Sequence, residues 1–499
     1  MSDHQIKVGR ASGEELFRRA TEAWETGEAA AMLPEIERAL DDSTDYRLWH
    51  IHGLIRRGLD QRELAIPSLQ RAVDLNPSAP NPARALARTK YEAGLDSLDD
   101  FGRALILSPG DPEVVKELAM ALVANGEVAT AITGLEKILG RTPTWSDGQV
   151  MLSQLRWMEG ERETFTRGFD EARRAFPQAL DLWREQNTSL LHAEQWDKAL
   201  SVIGESRAIF GEQELFSANE AVIHAEMGNI EVADRLLEPF AQWEDPAFQT
   251  RRVRHLLRAA RPAEAAAAIE PWLATPDAVM FWPYASIAWR QCDPERWQWL
   301  EGDPKFYGVF DMADDLPPLD ELAAFLRSLH TLSGQPLEQS LRGGTQTDGD
   351  IFMRIDPIMI TLREAIRAKV AAHVAQLPPP DPAHPLLGAA RDRIGFAGAW
   401  SVRLRDAGFH SNHVHPLGWF SSALYVALPQ DMGEGEAGYL VLGNPKSTCF
   451  DVDLAPFRTV EPKPGRLALF PSYVWHGTRP FGAGERLSVA FDVARFPSA

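Results

Sequence analysis

The chain has 499 residues, more than one hydrophobic core usually serves, so about two to four domains are expected. Hydrophobic residues make up 44% of it and charged residues 24%, which is the composition of a globular protein rather than of a disordered or membrane-embedded one. Its net charge of −20 argues against a general binder of nucleic acid or of anionic membranes, because both ligands require a basic surface.

The start of the chain is polar, and no run of 18 apolar residues occurs, so we expect neither a signal peptide nor a membrane span. The two cysteines, Cys292 and Cys449, are far apart in the sequence and predict no disulfide framework. Cys449 lacks the pattern of a companion base, and we interpret it as structural. A reducing, cytoplasmic location fits this cysteine usage.

The first three-fifths of the chain contains a repeat. In residues 48–77, small and large residues stand at the offsets of a tetratricopeptide unit, a pair of antiparallel helices closed by proline. These positions are Trp49, Gly53, Ala65, Leu69, Ala72 and Pro77. The proline then recurs at intervals of 32, 34 and 34 residues, at Pro109, Pro143 and Pro177. The pattern predicts roughly seven repeats, forming an all-α solenoid over residues 1–310.

A solenoid of stacked repeats leaves an extended concave face. Such a face usually binds a peptide or protein segment, and we expect a partner of this kind here. The alternative is that the array serves only as a rigid spacer or as a dimer interface.

The character of the sequence changes over residues 311–499. Residues 357–377 predict one amphipathic helix, and a proline-rich loop follows at 377–385. Short strand-like runs then alternate with turn clusters, which favours a β-barrel or jelly roll. These runs cover residues 399–405, 420–429, 438–443, 466–471 and 486–494. The chain is therefore predicted to be an α+β multidomain protein.

Histidines cluster in "HSNHVH" (410–415). His413 and His415 alternate, so both side chains face the same way if this segment is extended. His476 follows a later strand, and three imidazoles on one face form a metal site with open positions. The alternative is that they only satisfy polar backbone at the rim of the barrel, which is our main interpretation of His410.

An arginine and a serine accompany the histidines. Arg486 and Ser488 share one face of the last predicted strand, where they suit a carboxylate of a ligand that also reaches the metal. The hydroxyl group of Tyr425 is a further candidate contact to that ligand. Arg342, in "SLRGGTQT", is either an anion contact or part of an exposed turn.

Residues 330–495, about one third of the chain, resemble the iron(II)/2-oxoglutarate-dependent oxygenases. The likeness is to a bacterial branch of the prolyl-hydroxylase-like superfamily that is often fused to tetratricopeptide repeats. It rests on "QSLRGGTQT" (339–347), "WSVRLRDAGFHSNHVHPLGWFSSALYV" (400–426), "PKPGRLALFPSYVWHGTRPF" (462–481) and "ERLSVAFDV" (485–493). It implies a double-stranded β-helix (jelly-roll) domain at 311–499.

The resemblance also implies the cofactors and the roles of residues. Fe(II) is the metal, and 2-oxoglutarate and O2 are the cosubstrates. His413 is the first ligand, His476 is the distal ligand, and Arg486 with Ser488 holds the far carboxylate of 2-oxoglutarate. Most members of the wider superfamily carry Asp or Glu where this chain has His415, which leaves three alternatives: a three-histidine site, a two-histidine site completed by water, or a substrate contact.

The sequence thus predicts a cytoplasmic Fe(II)- and 2-oxoglutarate-dependent dioxygenase that hydroxylates a peptide or protein presented by the solenoid. We expect no nucleic-acid partner and no membrane partner. The alternative is a tetratricopeptide binding scaffold whose barrel is non-catalytic, or a cupin-type metal barrel that uses no 2-oxoglutarate.

Overall fold

The computed structural model of the chain describes residues 2–332, 334, 337, 340–447 and 450–496, with side chains from residue 13 onward. The interpretation of Cys449 as structural therefore lies outside the described residues, as does Gln339 of the "QSLRGGTQT" segment. The chain folds into two units, Met1–Ile138 with Asp348–Ile360, and Leu139–Thr347 with Thr361–Ala499. The domain boundary that the sequence predicts between residues 310 and 311 stays a prediction.

Helices occupy the first three-fifths of the chain and alternate with short turns, as the repeat pattern predicts. In chain order they are α1 (Ser2–Glu25), α2 (Leu33–Leu40), α3 (Tyr46–Gly58), α4 (Arg62–Leu75), α5 (Pro80–Glu92), α6 (Leu98–Leu107), α7 (Pro112–Ala124), α8 (Val128–Leu139), α9 (Ser146–Met158), α10 (Arg167–Ala175), α11 (Leu180–His192), α12 (Trp196–Phe210), α13 (Glu214–Glu226), α14 (Ile230–Leu237), α15 (Pro246–Arg258), α16 (Pro262–Ile269), α17 (Ala278–Cys292) and α18 (Pro294–Glu301). Two more follow, α19 (Leu319–Ser328) and α20 (Pro357–Val374). Among the helices that the structure describes, none is both long and apolar enough to cross a bilayer.

In the first unit, α3 and α4 show how the repeat positions work. Ala65 and Leu69 of α4 are fully buried. A Cβ atom on Gly53 would come within 2.6 Å of the Cγ atom of Leu69, so the absence of a side chain sets how closely the two helices approach.

The second unit combines the later helices with two antiparallel sheets. The strands are β1 (Gly308–Asp311), β2 (Leu341–Gln346), β3 (Phe396–His410), β4 (Gly418–Ala427), β5 (Leu440–Leu442), β6 (Arg458–Val460), β7 (Arg466–Pro471), β8 (His476–Thr478) and β9 (Glu485–Ala494). The larger sheet has the order β1-β7-β4-β9-β3-β2, and the smaller one has the order β6-β5-β8. The predicted fold class, a tetratricopeptide solenoid followed by a jelly-roll domain, is confirmed.

Strand β9 shows why the larger sheet is buried on one side and polar on the other. Leu487, Val489 and Phe491 have no exposed surface and point to one face. The alternate residues, Arg486 and Ser488 among them, line a cavity on the other face. The sheet thus places a charged side chain in the interior of the domain.

The last repeat helices, α17 and α18, pack directly against the jelly roll of the same unit. The indole N–H of Trp475 donates to the carbonyl of Pro283 at 2.9 Å, and the hydroxyl of Tyr473 donates to the carbonyl of Leu300 at 2.8 Å. Both donors lie in the connection between β7 and β8, immediately before His476. The end of the solenoid therefore supports the connection that leads to this histidine.

The close approach of α3 and α4 gives a testable prediction. Gly53→Ala is expected to destabilise the chain, because overpacking costs about 1–3 kcal/mol and exceeds the gain in helix propensity. Gly102→Ala, in α6, is the matched control: a Cβ atom there meets nothing within 4 Å, so this variant should be stabilised by about 1 kcal/mol. The midpoint of the first unfolding transition in urea measures both effects. Equal or higher stability of Gly53→Ala would contradict the proposed helix packing.

Candidate metal and carboxylate site

Three histidines of the jelly roll form one group. His413, His415 and His476 each offer a ring nitrogen, and these ligand atoms all lie within 4.8 Å of one another. The ring centroids of His413 and His476 are 4.2 Å apart, and that of His415 lies 4.9 and 5.2 Å from them. The structure therefore brings together the three residues that the sequence selects as candidate metal ligands.

Backbone hydrogen bonds produce this grouping. The N–H group of His413 donates to the carbonyl of His476 at 2.9 Å, and the reverse bond has the same length. Two residues further on, the N–H group of His415 donates to the carbonyl of Ser472 at 3.0 Å. The segment from His413 to His415 thus runs along the connection between β7 and β8, so alternate side chains point to the same side.

The Nδ1 atom of each ring has a partner outside the group. Nδ1 of His413 lies 2.8 Å from the carbonyl oxygen of Ser411, and Nδ1 of His476 lies 2.9 Å from that of Val474. Nδ1 of His415 lies 2.9 and 2.8 Å from the two carboxylate oxygens of Asp492. Since an acceptor at Nδ1 fixes the proton there, Nε2 of each ring keeps the lone pair that binds a metal.

Burial favours the neutral form of two of the rings, those of His413 and His476. Loss of hydration lowers the pKa of His413 and His476 well below the usual histidine value, and the neighbouring imidazoles lower the pKa further. A neutral imidazole is the form that coordinates metals. A donor set of three imidazole nitrogens suits a first-row divalent metal such as Fe(II).

His410 lies beside the group without belonging to it. Its ring stacks on that of His413 at a centroid distance of 6.0 Å, and its Nδ1 atom lies 3.1 Å from the hydroxyl of Ser340. The same hydroxyl is 3.3 Å from Nε2 of His413. Burial lowers the pKa of His410 to about 3, so the ring is a neutral neighbour of the site.

Arg486 points into a cavity of about 230 Å³ that the three histidines also line. The residue is 2% exposed, and its guanidinium group donates to the carbonyl of Gly438 at 3.0 Å. Its Nε atom has no hydrogen-bond partner among the described residues, and none of them places a carboxylate within salt-bridge distance. A buried cation without a counter-ion is costly, so this cavity suits an anionic ligand.

Two polar side chains accompany this arginine. Ser488 lines the same cavity and pairs across the sheet with Tyr425. The ring of Tyr425 is 4.9 Å from the guanidinium carbon of Arg486, and its hydroxyl is buried with no hydrogen-bond partner in the described part of the chain. The unsatisfied groups of Arg486 and Tyr425 therefore suit a carboxylate ligand, which the described residues do not provide.

A second, larger cavity extends from His413 to the solenoid helices of the same unit. It measures about 710 Å³ and is lined by His413, by residues of the jelly roll and by residues of α9, α11, α12, α13, α15 and α17. Aromatic side chains on its walls are Trp157, Trp196, Tyr284 and Trp475. We call this cavity the cleft.

One wall of the cleft carries a cluster of charges. Glu226 accepts from Arg254 at 3.1 and 3.0 Å, from Arg258 at 2.7 Å and from Arg251 at 3.4 Å. Burial alone would raise the pKa of Glu226, but the charges of Arg254, Arg251 and Arg258 outweigh burial and lower the pKa to about 2. The charged residues that line the cleft are Arg251, Arg254, Arg342, Glu194 and Glu226, in a chain whose net charge is −20.

The sequence did not indicate all of these residues. Asp492 was missed, although it stands six residues after Arg486 and therefore on the same face of β9, which is a signal that alternation offers. The arginines of the cleft carry no local motif. The suggestion that Arg342 lies in an exposed turn is wrong, because it is a half-buried residue of strand β2 that lines the cleft.

Residues 398–492 match the model of a family described as "Putative 2OG-Fe(II) oxygenase". This range contains His413, His415, His476, Arg486 and Ser488. The family implies Fe(II) and 2-oxoglutarate. A comparison with curated proteins finds no match.

Solved structures resemble both parts of the chain. A prolyl-4-hydroxylase from Pseudomonas putida is 20% identical, with a TM-score of 0.26, over 38% of this chain and 92% of its own. A tetratricopeptide repeat protein from Parabacteroides merdae is 15% identical, with a TM-score of 0.32, over 55% of this chain and 98% of its own. Yeast Tom70 is 16% identical, with a TM-score of 0.36, over 55% of this chain and 61% of its own.

At such low scores these likenesses carry no argument about activity or substrate. The match to the family model and the observed fold stand independently of them. Residues 398–492 thus match the model of a 2OG-Fe(II) oxygenase family, and they follow paired helices that have the tetratricopeptide pattern.

Proposed function

We propose that the chain is an Fe(II)- and 2-oxoglutarate-dependent dioxygenase that hydroxylates a C–H bond of a polypeptide. The observation that carries this proposal is the set of residues that line the smaller cavity. Three histidines line it, and so does Arg486, a buried arginine for which the described residues provide no counter-ion. A cupin-type barrel that uses no 2-oxoglutarate has no need of this arginine.

The overall reaction balances without a further reductant. One oxygen atom of O2 enters the carboxylate of succinate, and the other enters the new C–OH group of the substrate. Decarboxylation of 2-oxoglutarate to succinate and CO2 supplies two of the four electrons that O2 requires, and the C–H bond supplies the other two. When bound, Fe(II) supplies the binding and activation of O2 beside the keto acid.

The residues of the chain hold and orient the reactants. In this proposal His413, His415 and His476 hold the metal through Nε2, and Arg486 with Ser488 binds the far carboxylate of 2-oxoglutarate as a charge-assisted pair. The hydroxyl of Tyr425 adds a neutral hydrogen bond. The other two interpretations of His415, as the neighbour of a metal-bound water or as a substrate contact, predict different metal affinities and are tested below.

For the substrate we propose a polypeptide segment that lies in the cleft. Helices α9, α11, α12, α13, α15 and α17 form one side of the cleft, and His413 lies on its other side, so a segment bound by the repeats reaches His413. Three arginines and two glutamates line the cleft, and this excess of formal positive charge favours acidic side chains next to the oxidised residue. The aromatic side chains of the cleft add apolar contacts to the bound segment that depend little on the sequence of that segment.

The ligand assignment predicts metal affinities. His413→Ala and His476→Ala should each weaken anaerobic Fe(II) binding by at least about 100-fold, more than the loss of a residue that only positions a ligand. His224→Ala, in α13, is the control and should bind as the wild type does. Calorimetry measures all of these affinities. Unchanged Fe(II) affinity in either of the two ligand variants would contradict the assignment.

The role of His415 needs its own comparison. If it is the third ligand, His415→Ala should lose most of its Fe(II) affinity, and His415→Asp should keep iron because a carboxylate also coordinates Fe(II). If His415→Ala is fully loaded with iron but inactive, the site has two histidines and the remaining roles of His415 apply.

The cosubstrate assignment predicts the effect of removing the arginine. Arg486→Ala should raise the KM for 2-oxoglutarate by about 10–150-fold in an assay of succinate formation, since a hydrogen bond to a charged group contributes about 1.5–3 kcal/mol. Arg486→Lys should raise this KM less than Arg486→Ala does, because an ammonium group keeps the positive charge but lacks the planar fork of the guanidinium group. Arg479→Ala, an exposed arginine of the same domain, is the control. A wild-type KM in Arg486→Ala would exclude 2-oxoglutarate as the cosubstrate held there.

The charge of the cleft predicts which peptides bind. A fluorescein-labelled pool of random dodecamers rich in Glu should bind more tightly than a pool rich in Lys, and binding should weaken with salt. Arg251→Glu should remove this preference, whereas Arg184→Glu, an exposed change of the same charge in α11, should not. Fluorescence anisotropy measures the binding. Equal binding of both pools by the wild type would refute an acidic polypeptide as the ligand of the cleft.

A further inference from the structure

Asp492 bonds to His415 from the side opposite the candidate metal position. Its two oxygens lie 2.9 and 2.8 Å from Nδ1 of His415, the nitrogen that faces away from the group of three. We propose that Asp492 supplies, through His415, the negative charge that a carboxylate ligand supplies in the related oxygenases. This inference rests on the proposed function and names a positioning residue for its metal centre.

The three histidines are not equivalent in this respect. His413 and His476 are each held by a neutral backbone carbonyl, those of Ser411 and Val474. His415 alone of the three has a charged partner. A carboxylate on the far nitrogen of a ligating imidazole fixes its tautomer and makes it a stronger donor to the metal. His415, which stands where most members of the wider superfamily have Asp or Glu, is thus the histidine that contacts a carboxylate.

Asp492 is itself held in place. The hydroxyl of Ser421, on the neighbouring strand β4, donates to its Oδ1 atom at 2.7 Å. A Cβ atom on Gly418 would lie 2.5 Å from Oγ of Ser472 and 3.5 Å from Cβ of Asp492. The turn from His415 to Gly418 therefore closes against both residues only because position 418 has no side chain.

The charge balance follows from these contacts. A carboxylate ligand brings one negative charge into contact with the metal. The pair of His415 and Asp492 brings the same charge, but one imidazole ring further out. Since Asn has the shape of Asp and also accepts a hydrogen bond from Nδ1–H, Asp492→Asn removes the charge and keeps the orientation.

The experiment measures Co(II) binding to the full-length chain and the visible ligand-field spectrum of the bound ion. We expect Asp492→Asn to bind Co(II) about 10–100-fold more weakly than the wild type and with a shifted spectrum. Asp492→Glu should recover most of the affinity. Asp451→Asn, a change of the same type at an exposed position, should match the wild type.

A double variant separates charge from structure. His415→Asp restores a carboxylate ligand but leaves two carboxylates side by side, so adding Asp492→Asn should strengthen its Co(II) binding rather than weaken it. A purely structural role of Asp492 predicts further weakening. If Asp492→Asn does not fold, Ser421→Ala, which removes the hydrogen bond that holds Asp492, should still lower Co(II) affinity.

The outcomes distinguish this inference from the proposed function. Wild-type affinity and spectrum in Asp492→Asn, while His413→Ala loses Co(II), would overturn the role of Asp492 and leave the metal centre intact. Absence of Co(II) binding by the wild-type chain would overturn the proposed function and this inference with it.

Discussion

The candidate site depends on one pair of backbone hydrogen bonds. Between His413 and His476, each N–H group donates to the other residue's carbonyl at 2.9 Å, which places two residues that are distant in the sequence side by side. The bond from His415 to Ser472 continues this pairing by two residues and adds the third imidazole. Because the contact involves the backbone, its geometry persists when the side chains change, and the ligands can be varied without loss of the framework.

A buried charge gives the cavity its chemical character. Removing the guanidinium group of Arg486 from water costs free energy. Among the described residues, only the carbonyl of Gly438 and the face of the Tyr425 ring offset this cost. A protein that retains such an unpaired group has a use for it, and the binding of an anionic ligand offsets the cost. Burial lowers the pKa of His413 and His476 beside it and favours their neutral form, so Arg486 is a main source of positive charge in the cavity before a metal binds.

The solenoid and the jelly roll are joined through the site itself. Helices α17 and α18 accept hydrogen bonds from Trp475 and Tyr473, which directly precede His476. The cleft then lies between α9, α11–α13, α15 and α17 on one side and His413 on the other. In this arrangement the repeats both support a candidate ligand and form the wall on which we propose that the substrate binds.

Much of the fold follows from regular patterns in the sequence. The 34-residue spacing of proline predicted the helix pairs, and alternation predicted which residues of β9 share a face, so Arg486 and Ser488 were found together. The strands β1, β2, β6 and β8 were not predicted, since each has only three to six residues and is defined by pairing rather than by its own composition. Gly343, with a φ angle of +74°, and Gly344 form a bulge in β2, which explains why this segment resembled a turn.

The site residues that the sequence did not indicate were missed for a different reason. Asp492 reaches His415 across 77 positions of the sequence, and the arginines around Glu226 lie on a different helix from it. Contacts of this kind depend on how elements pack, which local spacing does not contain. Only the position of Asp492 on the polar face of β9 was available in advance.

The most direct measurement is a crystal structure of the chain with Mn(II) and N-oxalylglycine, an inert analogue of 2-oxoglutarate. The account predicts a metal ion bound by Nε2 of His413, His415 and His476, with the keto-acid end of the analogue on the metal and its far carboxylate on Arg486 and Ser488. A metal ion bound elsewhere, or an analogue whose far carboxylate does not contact Arg486, would contradict it.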